Sequence, residues 1–131
     1  MKYIYPAVFT EESDGGYSVD FPDLEGCFTC GDDLADALYM AKDVLALTLV
    51  CYEDRNRDIP VPSGRNVLNC AENEFINYIQ CDTLQYRKLM NNKAVKKTLS
   101  IPEWLNEVAT ANNANFSQIL QEALMQKYNI G

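Results

Sequence analysis

The segment Ala94–Gly131 reads AVKKTLSIPEWLNEVATANNANFSQILQEALMQKYNIG, and the organisation of the chain follows from it. Val95, Leu99 and Ile101 are apolar on one parity, while Lys96, Thr98 and Ser100 are polar on the other. That period-two alternation is the mark of a strand with one buried face. Lys97 breaks the apolar parity, so the strand is expected to be frayed or twisted at its start. Pro102 stops it and fits the first position of a helix, where a missing N–H costs nothing. Trp104, Leu105, Val108 and Ala109 then fall at helical spacing. Asn112-Asn113 offers the left-handed residue that a helix C-terminus needs. Asn115, with Gln118 three residues on, is a variant capping box that opens a second helix. Phe116, Ile119, Leu120, Ala123, Leu124 and Tyr128 form its apolar stripe.

A strand and two helices in 38 residues bury too little to stand alone, since chains below ~40 residues usually need staples or partners. A lone strand also leaves an unpaired edge. Two copies solve both problems if the strands pair across a two-fold axis and the four helices pack together. The segment resembles ribbon-helix-helix proteins. In that family the two-stranded ribbon enters the major groove of DNA, which is wide enough to admit it. The pleat then sets Lys96, Thr98 and Ser100 against base edges, and Lys97 serves a phosphate or the flank. The free amides of Asn115, Phe116 and Ser117 clamp another phosphate at the helix start. Leu99, Ile101, Leu105, Val108, Phe116, Ile119 and Leu120 would form the dimer core. A plain dimerisation module that never touches DNA is the competing reading.

Charge divides the chain. Residues 1–85 hold sixteen acids against five bases, a net of −11; residues 86–131 hold three against six, a net of +3. The overall −8 therefore hides a C-terminal part able to meet phosphates through Arg87, Lys88, Lys93, Lys96 and Lys97. The N-terminal part suits a basic partner. A chain of 131 residues with 47% hydrophobic residues fits one domain or two small ones. No apolar run reaches the ~18 residues of a membrane span. Met1-Lys2 leads straight into Tyr3-Ile4-Tyr5-Pro6 with no apolar signal region, so a cytoplasmic location is expected.

The chain has five cysteines and no histidine, and the odd count and the expected cytoplasmic location disfavour a disulfide framework. Cys27 and Cys30 form a CxxC, but on a strand their odd offset puts them on opposite faces. Neither Cys51, Cys70 nor Cys81 supplies a matching pair for zinc. No metal or cofactor is expected, and the thiols are read as small buried apolar groups.

From the start, Lys2–Thr10 reads as a strand, with Pro6 suggesting an edge or a bulge. Asp14-Gly15 signals a hairpin. Tyr17–Phe21 alternates, residues 22–26 (PDLEG) turn, and Cys27–Cys30 is a short third strand. Asp32 or Asp33 caps a long helix whose stripe is Leu34, Ala37, Leu38, Ala41, Leu45, Leu49 and Tyr52. That helix should end between Glu53 and Arg57. Residues 58–64 (DIPVPSG) form a proline-rich connector, Glu74–Cys81 a fourth strand and Thr83–Met90 a short helix. Asn91-Asn92 marks the boundary, giving domains 1–90 and 91–131.

This β-β-β-α-β order, with YPAVF, DGGYSVDFPDLEGCFTCGD and DLADALYMAKDVL, resembles the N-terminal domain of HicB-family antitoxins. With the ribbon-helix-helix tail the resemblance covers nearly the whole chain. It implies an α+β fold in which a partial RNase H-like domain precedes the β-α-α dimerisation unit. It also implies a partner, a HicA-type toxin acting as a small basic mRNA interferase, which the acidic domain would silence by covering its RNA-binding face. The C-terminal homodimer would repress the toxin–antitoxin operon at an operator, and a further contact through the N-terminal sheet would make a tetramer. Candidate toxin-facing acids are Glu11-Glu12-Asp14, Asp32-Asp33-Asp36 and Glu53-Asp54-Asp58, among which the sequence does not choose. An RNase H kinship raises a metal-dependent nuclease instead, needing several converging carboxylates. Asp20, Asp23 and Glu25 are close in sequence but form no complete set, so no catalytic residue is assigned. An acidic oligomeric scaffold without DNA binding is the third possibility.

Overall fold

A computed structural model describes residues 1–64 and 70–130. The chain divides into two compact units, Met1–Lys93 and Ala94–Gly131. The first holds strands β1 (Lys2–Glu11), β2 (Tyr17–Asp20), β3 (Phe28–Gly31) and β4 (Glu74–Asp82) with helices α1 (Leu34–Asp54) and α2 (Thr83–Met90). The second holds α3 (Glu103–Ala111) and α4 (Phe116–Lys127).

The four strands make one antiparallel sheet in the order β3-β2-β1-β4. Side chains of one parity face α1. Tyr5, Ala7 and Phe9 of β1, Val19 of β2, and Ile79 and Cys81 of β4 meet Ala37, Ala41, Leu45 and Leu49 of the helix in one core. Small alanines at 37 and 41 let the helix lie close, and the large aromatics fill the sheet side. Phe9 stacks on its cross-strand partner Phe75 with ring centroids 5.1 Å apart, and Tyr17 meets the same ring edge-on. Leu34, expected on the stripe, is exposed at the helix start. Cys27 and Cys81 are buried, but Cys30, Cys51 and Cys70 are exposed, so only two thiols act as core residues.

Pro6 does not mark an edge strand, because β1 is central. It pairs with β4 from Lys2 to Thr10 but with β2 only from Val8 to Glu11. Glu11 N–H donates to Asn73 C=O on the β4 side, and Glu12 N–H donates to Gly16 C=O on the β2 side. Even-numbered residues of β1 therefore aim at β2, and odd ones at β4. Continuing the β1–β2 register two residues beyond Val8↔Asp20 would bring Pro6 against Pro22, and neither has an N–H to give. The ladder ends there, and the proline sits where nothing asks for its missing donor.

The third strand is Phe28–Gly31, displaced by one residue from the expected Cys27–Cys30. Its last residue lies against the start of α1: a Cβ on Gly31 would come 2.3 Å from Ala37 N and 2.5 Å from Ala37 Cα. Asp33 is the N-cap, its carboxylate accepting from Asp36 N–H at 2.8 Å, while the Asp36 carboxylate accepts from Asp32 N–H at 2.9 Å. The helix ends at Arg55, and Asn56 takes the left-handed φ of 51° that reverses the chain. The connector is tied to the core: the Tyr5 hydroxyl donates to Pro60 C=O, and Asp23 accepts from Ser63 N–H and Ser63 Oγ.

Residues 94–102, at the start of the second unit, form neither strand nor helix, so the strand expected over Val95–Ile101 is not formed in the single chain. A strand exists only when another strand takes its hydrogen bonds, and none lies beside it among the described residues. Pro102 is the N-cap of α3 rather than its first helical residue, with an extended ψ of 142°. Asn113 takes the left-handed φ of 55°. Asn115 caps α4 by accepting from Gln118 N–H at 3.1 Å, but the Gln118 amide donates to Glu122 instead of returning to the cap, so only half of the capping box forms.

Candidate functional site

The second unit presents the feature that asks for a partner. No residue of α3 or α4 is buried. Leu99, Ile101, Leu105, Val108, Phe116 and Ile119 are all exposed, Leu99 at 62% and Val108 at 53%, and Leu120 is half-buried. Val95, Trp104, Leu124, Met125 and Tyr128 are exposed as well. Exposed apolar residues are ordinary when scattered, but such density in one small unit marks an association surface. Lys96, Lys97, Thr98 and Ser100 are all exposed on the segment before α3. At α4 the Asn115 side chain occupies Gln118 N–H. The amides of Phe116 and Ser117, in the first turn, have no carbonyl four residues back within the helix.

In the first unit the three acidic stretches differ. Glu53 is enclosed by donors: the Tyr3 hydroxyl at 2.8 Å, the Thr83 hydroxyl at 3.0 Å and Arg87 Nη2 at 3.1 Å. Arg87 also reaches Asp54 at 2.8 Å. These two carboxylates hold α2 against α1 and β1, so that stretch is largely spent inside the fold. Glu12 accepts from Ser18 Oγ at 2.7 Å, and Asp14 accepts from Gly16 N–H at 2.9 Å. Those acids and Asp32-Asp33-Asp36 organise turns yet keep their charge at the surface. Asp23 is bound through both carboxylate oxygens to Ser63. Among the described residues no three His, Cys, Asp or Glu side chains converge to hold a metal ion, and no helix is long and apolar enough to cross a membrane.

Burial raises the Glu53 carboxyl, but hydrogen bonds from Tyr3, Arg87 and Thr83 outweigh it and hold the group below its ordinary value of 4.5. Burial, and then the bond to Glu53, pushes Tyr3 up to about 12. A depressed carboxyl stabilises the fold above its unfolded value and stops doing so as pH falls through its folded one; a raised phenol does the reverse. The melting temperature of the first unit should therefore hold through neutral pH. It should fall below pH 4.5 as Glu53 protonates, and again above pH 10.0 as Tyr3 is forced to ionise. Glu53→Gln should flatten the acid limb of a melting-against-pH curve; an unchanged limb would take Glu53 out of the account.

The family model described as "HicB_like antitoxin of bacterial toxin-antitoxin system" matches residues 5–124. The chain belongs to this family. The antitoxin HicB of Escherichia coli (strain K12) is 39% identical over 62 residues, 47% of this chain and 45% of that protein. Antitoxin HicB 2 of Photorhabdus laumondii subsp. laumondii is 41% identical over 61 residues, 47% of this chain and 43% of that protein. The match thus spans somewhat under half the length of these curated HicB relatives. Among solved structures, a chain of a toxin–antitoxin complex from Streptococcus pneumoniae superposes with a TM-score of 0.63 at 29% identity, covering 97% of this chain and 99% of that one. The crystal structure of antitoxin HicB3 superposes with a TM-score of 0.52 at 24% identity, covering 95% and 97%, a likeness of fold alone. The mixed α/β architecture, with its four-stranded antiparallel sheet and four helices, is thus a HicB-like fold.

Proposed function

We propose that this HicB-family antitoxin neutralises a HicA-type mRNA-interferase toxin by direct binding and represses its own operon at an operator. The acidic first unit, a partial RNase H-like domain, binds the toxin. The second unit forms a ribbon-helix-helix homodimer that binds DNA. Its role is binding, not catalysis, in keeping with the family. The observation that carries this reading is the division of one chain into an acidic unit with its own core and a smaller unit with almost none. Carboxylates on the first compete with RNA phosphate for a basic toxin face. A second copy covers the exposed apolar residues of the other and supplies the strand that residues 95–101 lack.

In that dimer, Leu99 and Ile101 turn towards the helices, so the pleat turns Lys96, Thr98 and Ser100 to the groove. Lys96 can donate to guanine acceptors, and the two hydroxyls can donate or accept at base edges. Lys97 neutralises a phosphate, and the first amides of α4 clamp another. Thr98→Ala should weaken operator binding by about 1–3 kcal/mol per lost base contact and leave a scrambled duplex nearly unaffected. Lys97→Ala should lower both and flatten the salt dependence. Titration of both variants against the two duplexes at two salt concentrations decides it, and equal losses for Thr98→Ala would remove that residue from base readout. The toxin partner is tested by co-purification with the product of the adjoining reading frame. The partner reading stands if that product is short and basic and its RNA cleavage stops on binding. It falls if cleavage continues.

A further inference from the structure

Among the described residues the sheet ends at β4, and no strand pairs with its outer edge. Odd-numbered residues of β1 and β4 face one another as hydrogen-bonded pairs, the register that Glu11 N–H to Asn73 C=O and Thr83 N–H to Met1 C=O extend at its two ends. Ile76, Tyr78 and Gln80 therefore turn their N–H and C=O groups away from β1, towards the side where the sheet has no further strand. Edge strands are ordinarily blunted by lysine, proline, a bulge or short length. The span Phe75–Cys81 has no charge, no proline and no glycine, and β4 pairs with β1 in unbroken register over its 9 residues.

Beside this edge lies a groove of about 610 Å³ whose lining includes Tyr39 and Ala46 of α1, Gln80 of β4, and Tyr86, Leu89 and Met90 of α2. Tyr39 and Leu89 are 70% and 77% exposed. Free backbone groups on an edge and an apolar groove alongside are the two halves of a strand-addition site. The ladder supplies affinity, and pockets for alternate side chains supply specificity.

We propose that the toxin docks here, adding an extended segment to β4 with alternate side chains in the groove between α1 and α2. The proposal rests on the toxin-binding reading above and names its surface. Charge selects the occupant. Glu74 and Asp82 stand at the two ends of β4. Antiparallel pairing of β4 with a second copy about Tyr78 would set Glu74 opposite Asp82 at both ends, and like charges directly opposite are unfavourable. A basic segment meets a carboxylate at each end instead: Glu74, which also accepts from Ala71 N–H at 2.8 Å and Thr10 Oγ1 at 3.2 Å, and Asp82, which also accepts from Leu84 N–H at 3.0 Å and the Met1 ammonium at 3.4 Å. Lys2, Lys42 and Asp43 also line the groove, so the preference for a basic segment rests on the two end carboxylates and on the net −11 of residues 1–85.

The test is amide hydrogen exchange on the full chain, alone and with an excess of the HicA-type protein of the adjoining frame. Ile76, Tyr78 and Gln80 amides should exchange quickly in the free chain and at least about tenfold more slowly in the complex, while Asn77 and Ile79 are protected in both. Gln80→Pro removes an N–H that the fold does not use, as Pro6 does on β1, and should weaken toxin binding by about tenfold or more with melting unchanged. A complex that forms while the three edge amides keep their free rates overturns this site and leaves the antitoxin reading standing. Failure to form any complex overturns both. Protection that rises with the concentration of the chain alone would give the edge to a second copy and overturn the proposal.

Discussion

Leu120→Asp should convert the chain to a species that no longer dimerises through its second unit and no longer binds operator DNA. Leu120 is half-buried in the single chain, on the same stripe as the exposed Phe116 and Ile119. When a second copy covers that stripe, each aspartate would be taken out of water without a cation beside it. A buried unpaired charge costs about 3–5 kcal/mol, and a two-fold dimer contains two of them. At ~1.4 kcal/mol per tenfold in affinity, the dimer should weaken by about four decades or more. Operator binding should go with it, since a ribbon needs both strands. The first unit has a separate core and should keep its melting transition. Sedimentation velocity and a gel shift read both effects. A variant with the parent's assembly and DNA affinity would show that these residues are not the dimer core.

Gly31→Ala should be the most damaging single methyl in the first unit. The added carbon would stand 2.3 Å from Ala37 N and 2.5 Å from Ala37 Cα, and neither atom is the end of a flexible side chain. Relief requires α1 to lift from the end of β3, and α1 supplies Ala37, Ala41, Leu45, Ala46, Leu49 and Tyr52 to the core. Overpacking usually costs about 1–3 kcal/mol. A backbone clash at the helix start belongs at or above the top of that range, a large share of a typical 5–15 kcal/mol stability. Urea unfolding should show the midpoint falling sharply, with toxin binding lost in parallel. Gly15→Ala is the comparison: a Cβ there meets nothing within 4 Å, so only its φ of +89° is strained. Equal losses for the two variants would mean that the contact with α1 is not what demands glycine at 31.

These cases show what could be read in advance. Period-two and helical spacing located the strands of the first unit and the helices of both, because each buries, or is built to bury, one face, whereas the strand expected over Val95–Ile101 is not formed in the single chain. Asn115, Asn113 and Asp33 announced helix ends through local chemistry that acts within three or four residues. Pro6 misled because a proline reports a missing donor, and whether that matters depends on where β2 happens to stop. Gly31 and the Tyr3–Glu53–Thr83–Arg87 cluster were invisible for the same reason: their partners lie far away in sequence and meet only in the fold. Glu53 and Asp54 looked like surface charge for a partner, yet Arg87 claims both. The residues proposed to face DNA stand on a segment without regular structure in one chain, so their arrangement depends on a second copy.

The two proposed binding activities should reside in two separable units. That division is tested most directly by a chain ending at Lys93, which keeps every residue of the first compact unit. With a core of its own, that fragment should remain folded, bind the basic toxin with most of the full chain's affinity and rescue toxin-arrested growth. It should show no saturable binding to the operator that the full chain retains. A folded fragment that failed to bind the toxin, or one that still bound the operator, would contradict the division of roles.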